Sequence, residues 1–258
     1  MTEAVTQEMV AEHVALVTLN RPEVLNAVNG DLAIGLEAAV LRTEQDPNVW
    51  AVVLTGAGDR GFCPGADLKA LGRGEGRSFR TRAGGFAGFV YQPRSKPWIA
   101  AINGAAVAGG LEIALTCELV VAAEHARLGL PEVKRALVAG AGGLFRLSRS
   151  VPRAVALEMI LTGGEISADR ALQYGLVNRV VPIERLIPEA VSLAQAICDN
   201  APISVRESLK VARLSFDLDE AGLKEASKFA SKANAATEDF REGPRAFVEK
   251  RAPRWLGR

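Results

Sequence analysis

The stretch KPWIAAINGAAVAGGLEIALTCELVVAAEHARLGLPEVK, residues 96–134, decides how the chain is read. Pro97 opens an apolar run, Trp98-Ile99-Ala100-Ala101-Ile102, and a second run follows at Leu119-Val120-Val121-Ala122-Ala123. Short continuous apolar runs bounded by turn residues predict strands buried on both faces. Between them AVAGGLEIAL (106–115) predicts a short helix with glycines at its start. Glu112 is out of place in that run. An ionised carboxylate is costly to bury without a partner. Either it faces water from a half-exposed helix, or its burial serves chemistry.

Working outward, MVAEHVALVTL (9–19) alternates and is rich in valine, which predicts a strand or a hairpin arm closed by Asn20-Arg21-Pro22. Leu32, Leu36, Ala39 and Val40 are spaced for an amphipathic helix over 29–44. Trp50 to Thr55 predicts another strand after the turn at Pro47. Buried strands alternating with helices argue for a layered α/β domain. From Leu186 onward the chain is helix-forming and charged, with breaks expected at Pro202 and Pro244. The expected boundary falls within 195–203, giving a core of residues 1–198 and a helical oligomerisation subdomain of residues 199–258.

Composition narrows the function classes. The 258 residues, 48% of them hydrophobic, suffice for one sizeable core with an appendage. Thirty-one lysines and arginines nearly cancel thirty aspartates and glutamates, so no global field favours nucleic acid as a partner. Cys63, Cys117 and Cys198 follow no metal-ligand spacing, and a sparse, odd set fits a reducing compartment. With only His13 and His125 available, no histidine-rich metal site is expected. The stretch MTEAVTQEMV lacks a basic n-region and an apolar h-region, and every apolar run stops short of a membrane span. The expectation is a cytoplasmic protein without a membrane partner.

Two segments need a choice. GAGDRG (56–61) matches a dinucleotide fingerprint after a strand, but Phe62-Cys63-Pro64-Gly65 cannot open the helix that fingerprint requires, so it reads as a turn. GRGEGRSFRTRAGG (72–85) has little hydrophobic periodicity and reads first as a mobile surface loop. The functional alternative is that Arg73, Arg77, Arg80 and Arg82 meet a phosphorylated ligand.

The chemistry suggested by the residues is a constellation. GFCPGADLKA (61–70) runs through glycine and proline into a helix expected near Ala66, and AVAGGLEIAL does the same near Gly109. First-turn amides lack helical partners and carry the positive end of the dipole. Two of them converging would form an oxyanion hole. Glu132 follows Pro131 twenty residues after Glu112, a separation that lets the chain return both carboxylates to one cleft. Paired carboxylates beside such a hole suit proton transfer next to a carbonyl. Each piece also has an ordinary reading: exposed first-turn glutamates, common helix starts, an Asp67 that only caps, and structural histidines.

These residues resemble the crotonase superfamily, and within it the enoyl-CoA hydratases. The resemblance covers nearly the whole chain: LNRPEVLNAV (19–28), VVLTGAGDRGFCPGADL (52–68), residues 96–134, GAGGLFRL (140–147), LTGGEISADRALQYGLVNRVV (161–181) and REGPRAFVEKR (241–251). It implies an α/β fold, a ClpP/crotonase-like spiral of ββα units with a C-terminal helical subdomain. It also implies homotrimers, often paired as hexamers, and a lyase of fatty acid metabolism acting on an acyl-CoA thioester. It implies no separate cofactor, coenzyme A being carried by the substrate, and no metal. The backbone N–H groups of Ala66 and Gly109 match the family's oxyanion hole. Glu112 matches the residue that deprotonates water, and Glu132 the one that orients it and protonates C2. Val24, Leu25, Ala27, Ala66, Asp67, Leu68, Gly109, Pro131 and Gly140 match CoA- or substrate-binding positions.

Two departures stand out. Ala108 replaces the first glycine of the family's common triple glycine, and LVAGAGGLFRL (137–147) leans towards relatives of carnitinyl-CoA dehydratase. The leading expectation is an enoyl-CoA hydratase. The rival is a hydratase or dehydratase of a specialised, more polar acyl-CoA, and from another class a noncatalytic acyl-CoA binder. An isomerase is disfavoured by the retention of both glutamates, and a serine hydrolase by the lack of a nucleophile motif near either histidine.

Overall fold

The computed structural model describes residues 3–258. A hairpin opens the chain, β1 (Val5–Ala11) and β2 (Val14–Leu19), turning at Glu12-His13. The valine-rich stretch 9–19 therefore spans two arms, not one strand. His13 makes the turn at φ 62° and stacks on Trp50, with ring centroids 3.5 Å apart. Helix α1 (Gly30–Gln45) begins where Asn29 caps the amide of Leu32, and it buries Leu32, Leu36, Ala39 and Val40.

Three strand–strand units follow. Strand β3 (Ala51–Gly56) leads to β4 (Gly61–Cys63) and α2 (Leu68–Gly72). After the short hairpin β5 (Arg80–Thr81) and β6 (Gly85–Phe86), β7 (Trp98–Ile102) leads to β8 (Ala105–Val107) and α3 (Gly109–Ala114). Strand β9 (Leu119–Ala123) then leads to β10 (Arg127–Gly129) and a 3-10 turn, Pro131–Arg135. In each unit the first strand joins a six-stranded sheet, β1-β2-β3-β7-β9-β12, and the second joins a four-stranded sheet, β11-β10-β8-β4. The elements completing this scheme are α4 (Gly143–Ser150), α5 (Arg153–Thr162), β11 (Glu165–Ser167), α6 (Ala168–Gln173) and β12 (Arg179–Val181). This is the expected spiral of ββα units.

Apolar burial explains the layering. Trp98, Phe62, Phe89, Leu32 and Leu36 are fully enclosed within the core that joins the two sheets and α1. Each such side chain contributes about 1.5–3 kcal/mol by leaving water. The opposite face of the large sheet, with Leu16, Val53 and Ile99, is covered by Leu186, Ala190 and Ala194 of α7 (Leu186–Cys198). Strands β3, β7 and β9 thus have apolar cover on both faces, as their unbroken apolar runs predict.

Helices α8 (Pro202–Arg213), α9 (Glu220–Ala235) and α10 (Asp239–Val248) complete the chain, with α8 packed on α9. Pro202 occupies the start of α8, where its missing N–H costs nothing. Pro244 does not break the chain as expected: it lies inside α10. Two other expectations change. Helix α2 starts at Leu68, with Ala66 ahead of its Asp67 cap. The segment 72–85 carries a 3-10 turn and most of the β5–β6 hairpin, anchored by buried Phe79 and Phe86. No helix among the described residues is long and apolar enough to cross a membrane.

Candidate active site

The small sheet sets the geometry. Strands β4, β8 and β10 run parallel, with Cys63 beside Ala106 and Gly129 beside Val107. Their carboxyl ends therefore lie along one edge, where the segments that follow carry Ala66, Gly109, Glu112 and Glu132. A ligand site at the carboxyl ends of parallel strands is a general outcome of such topology.

Ala66 and Gly109 come together because glycines let two backbones touch. A Cβ on Gly65, which has φ +93°, would sit 2.9 Å from the Gly109 nitrogen. Gly110 is equally constrained, since a Cβ there would lie 1.8 Å from the Cys63 carbonyl oxygen. The Val28 amide donates to Gly65 O, and the Asp67 amide donates to Val28 O. That parallel bridge turns the N–H of Ala66 away from the 26–28 segment. The N–H of Gly109 is at the first position of α3, where no helical acceptor exists. Ala108 precedes it at φ 51°, ψ −129°, a conformation that favours glycine and costs an alanine about 1–3 kcal/mol.

Glu112 is 4% exposed, which decides the choice left open by its sequence. Its Oε1 accepts from the amides of Ala141 (2.7 Å) and Gly143 (2.9 Å). Burial pushes its carboxyl above the usual range, while those two amides and the Arg146 and Arg80 guanidiniums pull it back. Glu132 is buried in the 3-10 turn after β10, and its Oε2 has no hydrogen-bond partner among the described residues. Burial, reinforced by the charge on Glu112, pushes the Glu132 carboxyl up to about 7. The two acids thus share one enclosure and differ in how they are solvated.

The candidate CoA segments are stitched together. Arg21 donates to Ala27 O (2.6 Å) and pairs with Asp67 at 3.2 Å. Asp67 also accepts from the Lys69 and Ala70 amides. Burial opposes its charge, but those amides and Arg21 outweigh it and hold the carboxyl below the usual range. Val24 and Leu25 lie in and just after the 3-10 turn at 22–24, and Leu68 is exposed at the start of α2. Pro131 opens the Glu132 turn, and Gly140 lies exposed just ahead of the turn that holds Glu112, its carbonyl 3.5 Å from the Tyr91 hydroxyl.

Sequence reasoning missed the supports of this site. Arg146 donates to Ala141 O (3.0 Å) and Val90 O (2.8 Å), holding the turn whose amides hold Glu112. Its guanidinium lies on Gly142, where a Cβ would come within 2.1 Å of Nη1. GAGGLFRL contains the only signal, an arginine three to four residues after paired glycines. Phe86 is the other omission: a Cβ on Gly109 would lie 2.5 Å from its ring.

Several groups do not join the site. His125 bonds to Asp59 O, His13 bonds to Asn48 O, and Cys63 is buried with its thiol pushed up to about 12. A cavity of about 720 Å³ lies at the C-terminal end, lined by residues including Glu238, Glu242, Arg245 and Arg254. There Glu242 is saturated by Arg251, Arg245 and the Arg254 amide, so it offers no free acid or base.

The family description enoyl-CoA hydratase/isomerase matches residues 10–258. The chain is 43% identical to the (E)-benzylidenesuccinyl-CoA hydratase of Thauera aromatica, over 96% of this chain and 97% of that protein. It aligns over its full length, and over the full length of each partner, with two crystal structures. One is an enoyl-CoA hydratase from Mycobacterium tuberculosis H37Rv (TM-score 0.95, 37% identity). The other is a carnitinyl-CoA hydratase from Mycobacterium avium (TM-score 0.78, 45% identity).

Proposed function

The chain belongs to the enoyl-CoA hydratase/isomerase family, a crotonase-fold family whose relatives named above are hydratases, and on that premise we propose that it reversibly hydrates a 2-enoyl-CoA to a 3-hydroxyacyl-CoA. The observation that carries this reading is the unequal solvation of two buried acids. Glu112, held by two amides, is suited to remain an anion, whereas Glu132, with an orphan oxygen and a carboxyl near 7, is suited to hold a proton.

The steps balance. Glu112 takes a proton from water as the oxygen bonds to C3. The C2–C3 π electrons move to the thioester oxygen, and the amides of Ala66 and Gly109 stabilise the resulting enolate. The enolate collapses as C2 takes the proton of Glu132. Proton exchange then restores Glu112 as base and Glu132 as acid. Because the pair shares one proton, its ionisations belong to both residues. We place the CoA moiety along Val24, Leu25, Ala27, Asp67 and Leu68, and the acyl end towards Pro131 and Gly140. Turnover requires no added metal or nucleotide.

A hydratase of a specialised acyl-CoA is the second reading, favoured by the benzylidenesuccinyl-CoA and carnitinyl-CoA relatives. The exposed side chains Phe216, Phe229, Phe240 and Phe247 of the C-terminal region support a homotrimer or dimer of trimers assembled through residues 199–258. A cytoplasmic location fits the three free cysteines.

The test is loss of enoyl-thioester absorbance with crotonyl-CoA, and with a panel varied in chain length and polarity. Activity that collapses in both Glu112→Gln and Glu132→Gln supports the assignment. Wild-type rates in both variants, with CoA binding intact, would overturn it. Acyl-CoA binding without turnover on any substrate would make the chain a binder.

A further inference from the structure

The β5–β6 hairpin is a built wall of the site. Gly84 lies so close to Gly88 that an added Cβ would fall 2.2 Å from the Gly88 carbonyl carbon. Gly85, at φ +65°, packs against the Tyr91 ring, where a Cβ would come within 2.4 Å. Tyr91 in turn reaches Gly140, beside the turn that holds Glu112. On the other side, Phe86 packs against Gly109. The hairpin thus joins the oxyanion amides to the glutamate clamp.

Arg80 is directly opposite Phe86 in the antiparallel register. Directly opposed residues project to the same face of a ribbon, so Arg80 shares the face that Phe86 turns to Gly109. Its charge reaches the Glu112 carboxylate and lowers that group's proton affinity. Arg73 is neutralised by Glu75, and Arg146 is spent on two carbonyls. The Arg80 side chain is exposed and has no carboxylate or hydrogen-bond partner among the described residues. An unpaired guanidinium on the face that Phe86 turns to Gly109 is a ready counter-ion.

We propose that Arg80 reads the acyl group, and that the substrate carries a carboxylate on its acyl chain close to C3. The inference rests on the hydratase reading for the identity of the thioester, and it adds the charge of the acyl portion. A second carboxylate near Glu112 is repelled unless a cation accompanies it, and Arg80 supplies that cation. A cationic acyl group meets the same guanidinium as a like charge.

Three enoyl-CoA thioesters that differ only at C4 test this: the 4-carboxy, 4-methyl and 4-trimethylammonio derivatives of but-2-enoyl-CoA. Expected wild-type kcat/KM falls in that order, with at least about tenfold between the first two, the scale of one charge-assisted hydrogen bond. Arg80→Gln should remove most of that ratio, and Arg80→Glu should invert the order of the charged pair. The ratio is the readout, because the influence of Arg80 on Glu112 is common to all three substrates. Equal losses on all three in Arg80→Gln would mean that Arg80 meets the phosphates of CoA, and would overturn the proposal. A wild-type preference for the methyl or ammonio substrate would overturn it too. Calorimetric binding of glutaryl-CoA against valeryl-CoA reads the same preference without turnover. A protein that shows that preference but hydrates nothing sinks the hydratase reading and leaves the charge assignment standing.

Discussion

The two buried acids of this molecule sit in opposite environments. Glu112 projects from α3 into a turn that offers it two amides, and that turn is braced from behind by Arg146. Glu132 rides on a 3-10 turn and leaves one oxygen without any donor. Burial raises both carboxyls, but only Glu112 has amide donors from another segment to offset it. Equal side chains can take unequal protonation states when their solvation differs. The same fold therefore solvates two buried acids unequally: the Glu112 carboxyl is raised by burial but held back by its amides, while that of Glu132 is pushed up to about 7.

The largest expected effect breaks the anionic half. Glu112→Gln should lower kcat/KM for hydration by about 10²–10⁴, the usual contribution of a positioned proton acceptor. Single-turnover kinetics would show the loss in chemistry, with acyl-CoA binding retained. Next comes the neutral half. In the mechanism we propose, hydration draws on the proton of Glu132, so the rate should fall as pH rises through about 7. Glu132→Gln should lower kcat/KM by about 10²-fold and flatten that alkaline limb. A limb that persists in the variant would assign the ionisation to another group.

A smaller effect sharpens the comparison through the brace. Arg146→Met removes the hydrogen bond to Ala141 O in that turn, the one that ties the turn to Val90 O, and a positive charge that lowers Glu112. The Glu112 carboxyl should rise further, so the acid limb of kcat/KM moves to higher pH and the rate drops about tenfold. Gly142→Ala should act alike, since its methyl would displace the same guanidinium. An unshifted acid limb in both variants would show that the two amides alone hold Glu112.

Much of this was legible in the sequence because strong periodicity and glycine punctuation reflect local physics. The runs at 98–102 and 119–123 became β7 and β9 unchanged, and Asn29 capped α1 where the apolar spacing begins. Glu112 could not be resolved alone, because its partners come from Ala141 and Gly143, twenty-nine and thirty-one residues on. The turn and hairpin within surface segment 72–85 are not legible for a related reason. Their order comes from glycine contacts with Gly88 and Tyr91 and from the burial of Phe79, none of which leaves a period in the sequence. Pro244 lies inside a helix where its sequence signals a break, because a short, largely exposed α10 tolerates one missing helical donor.

The smallest expected effect concerns the loop that presents Gly109. Ala108 holds φ 51°, ψ −129° because its amide is fixed to Gly129 O and Gly110 is pressed against Cys63 O. Ala108→Gly removes a conformational cost of about 1–3 kcal/mol. It adds back about 0.5–1 kcal/mol through the freer unfolded chain. The net expectation is a gain of about 1 kcal/mol, read as a higher urea midpoint at unchanged slope. A lower midpoint would mean that the Ala108 methyl, which a Cβ on Gly65 would meet at 3.2 Å, packs the junction between the two loops by more than its strain costs. In that case alanine at this position would serve to tighten the approach of Gly65 to Gly109, the contact that brings the two amides together.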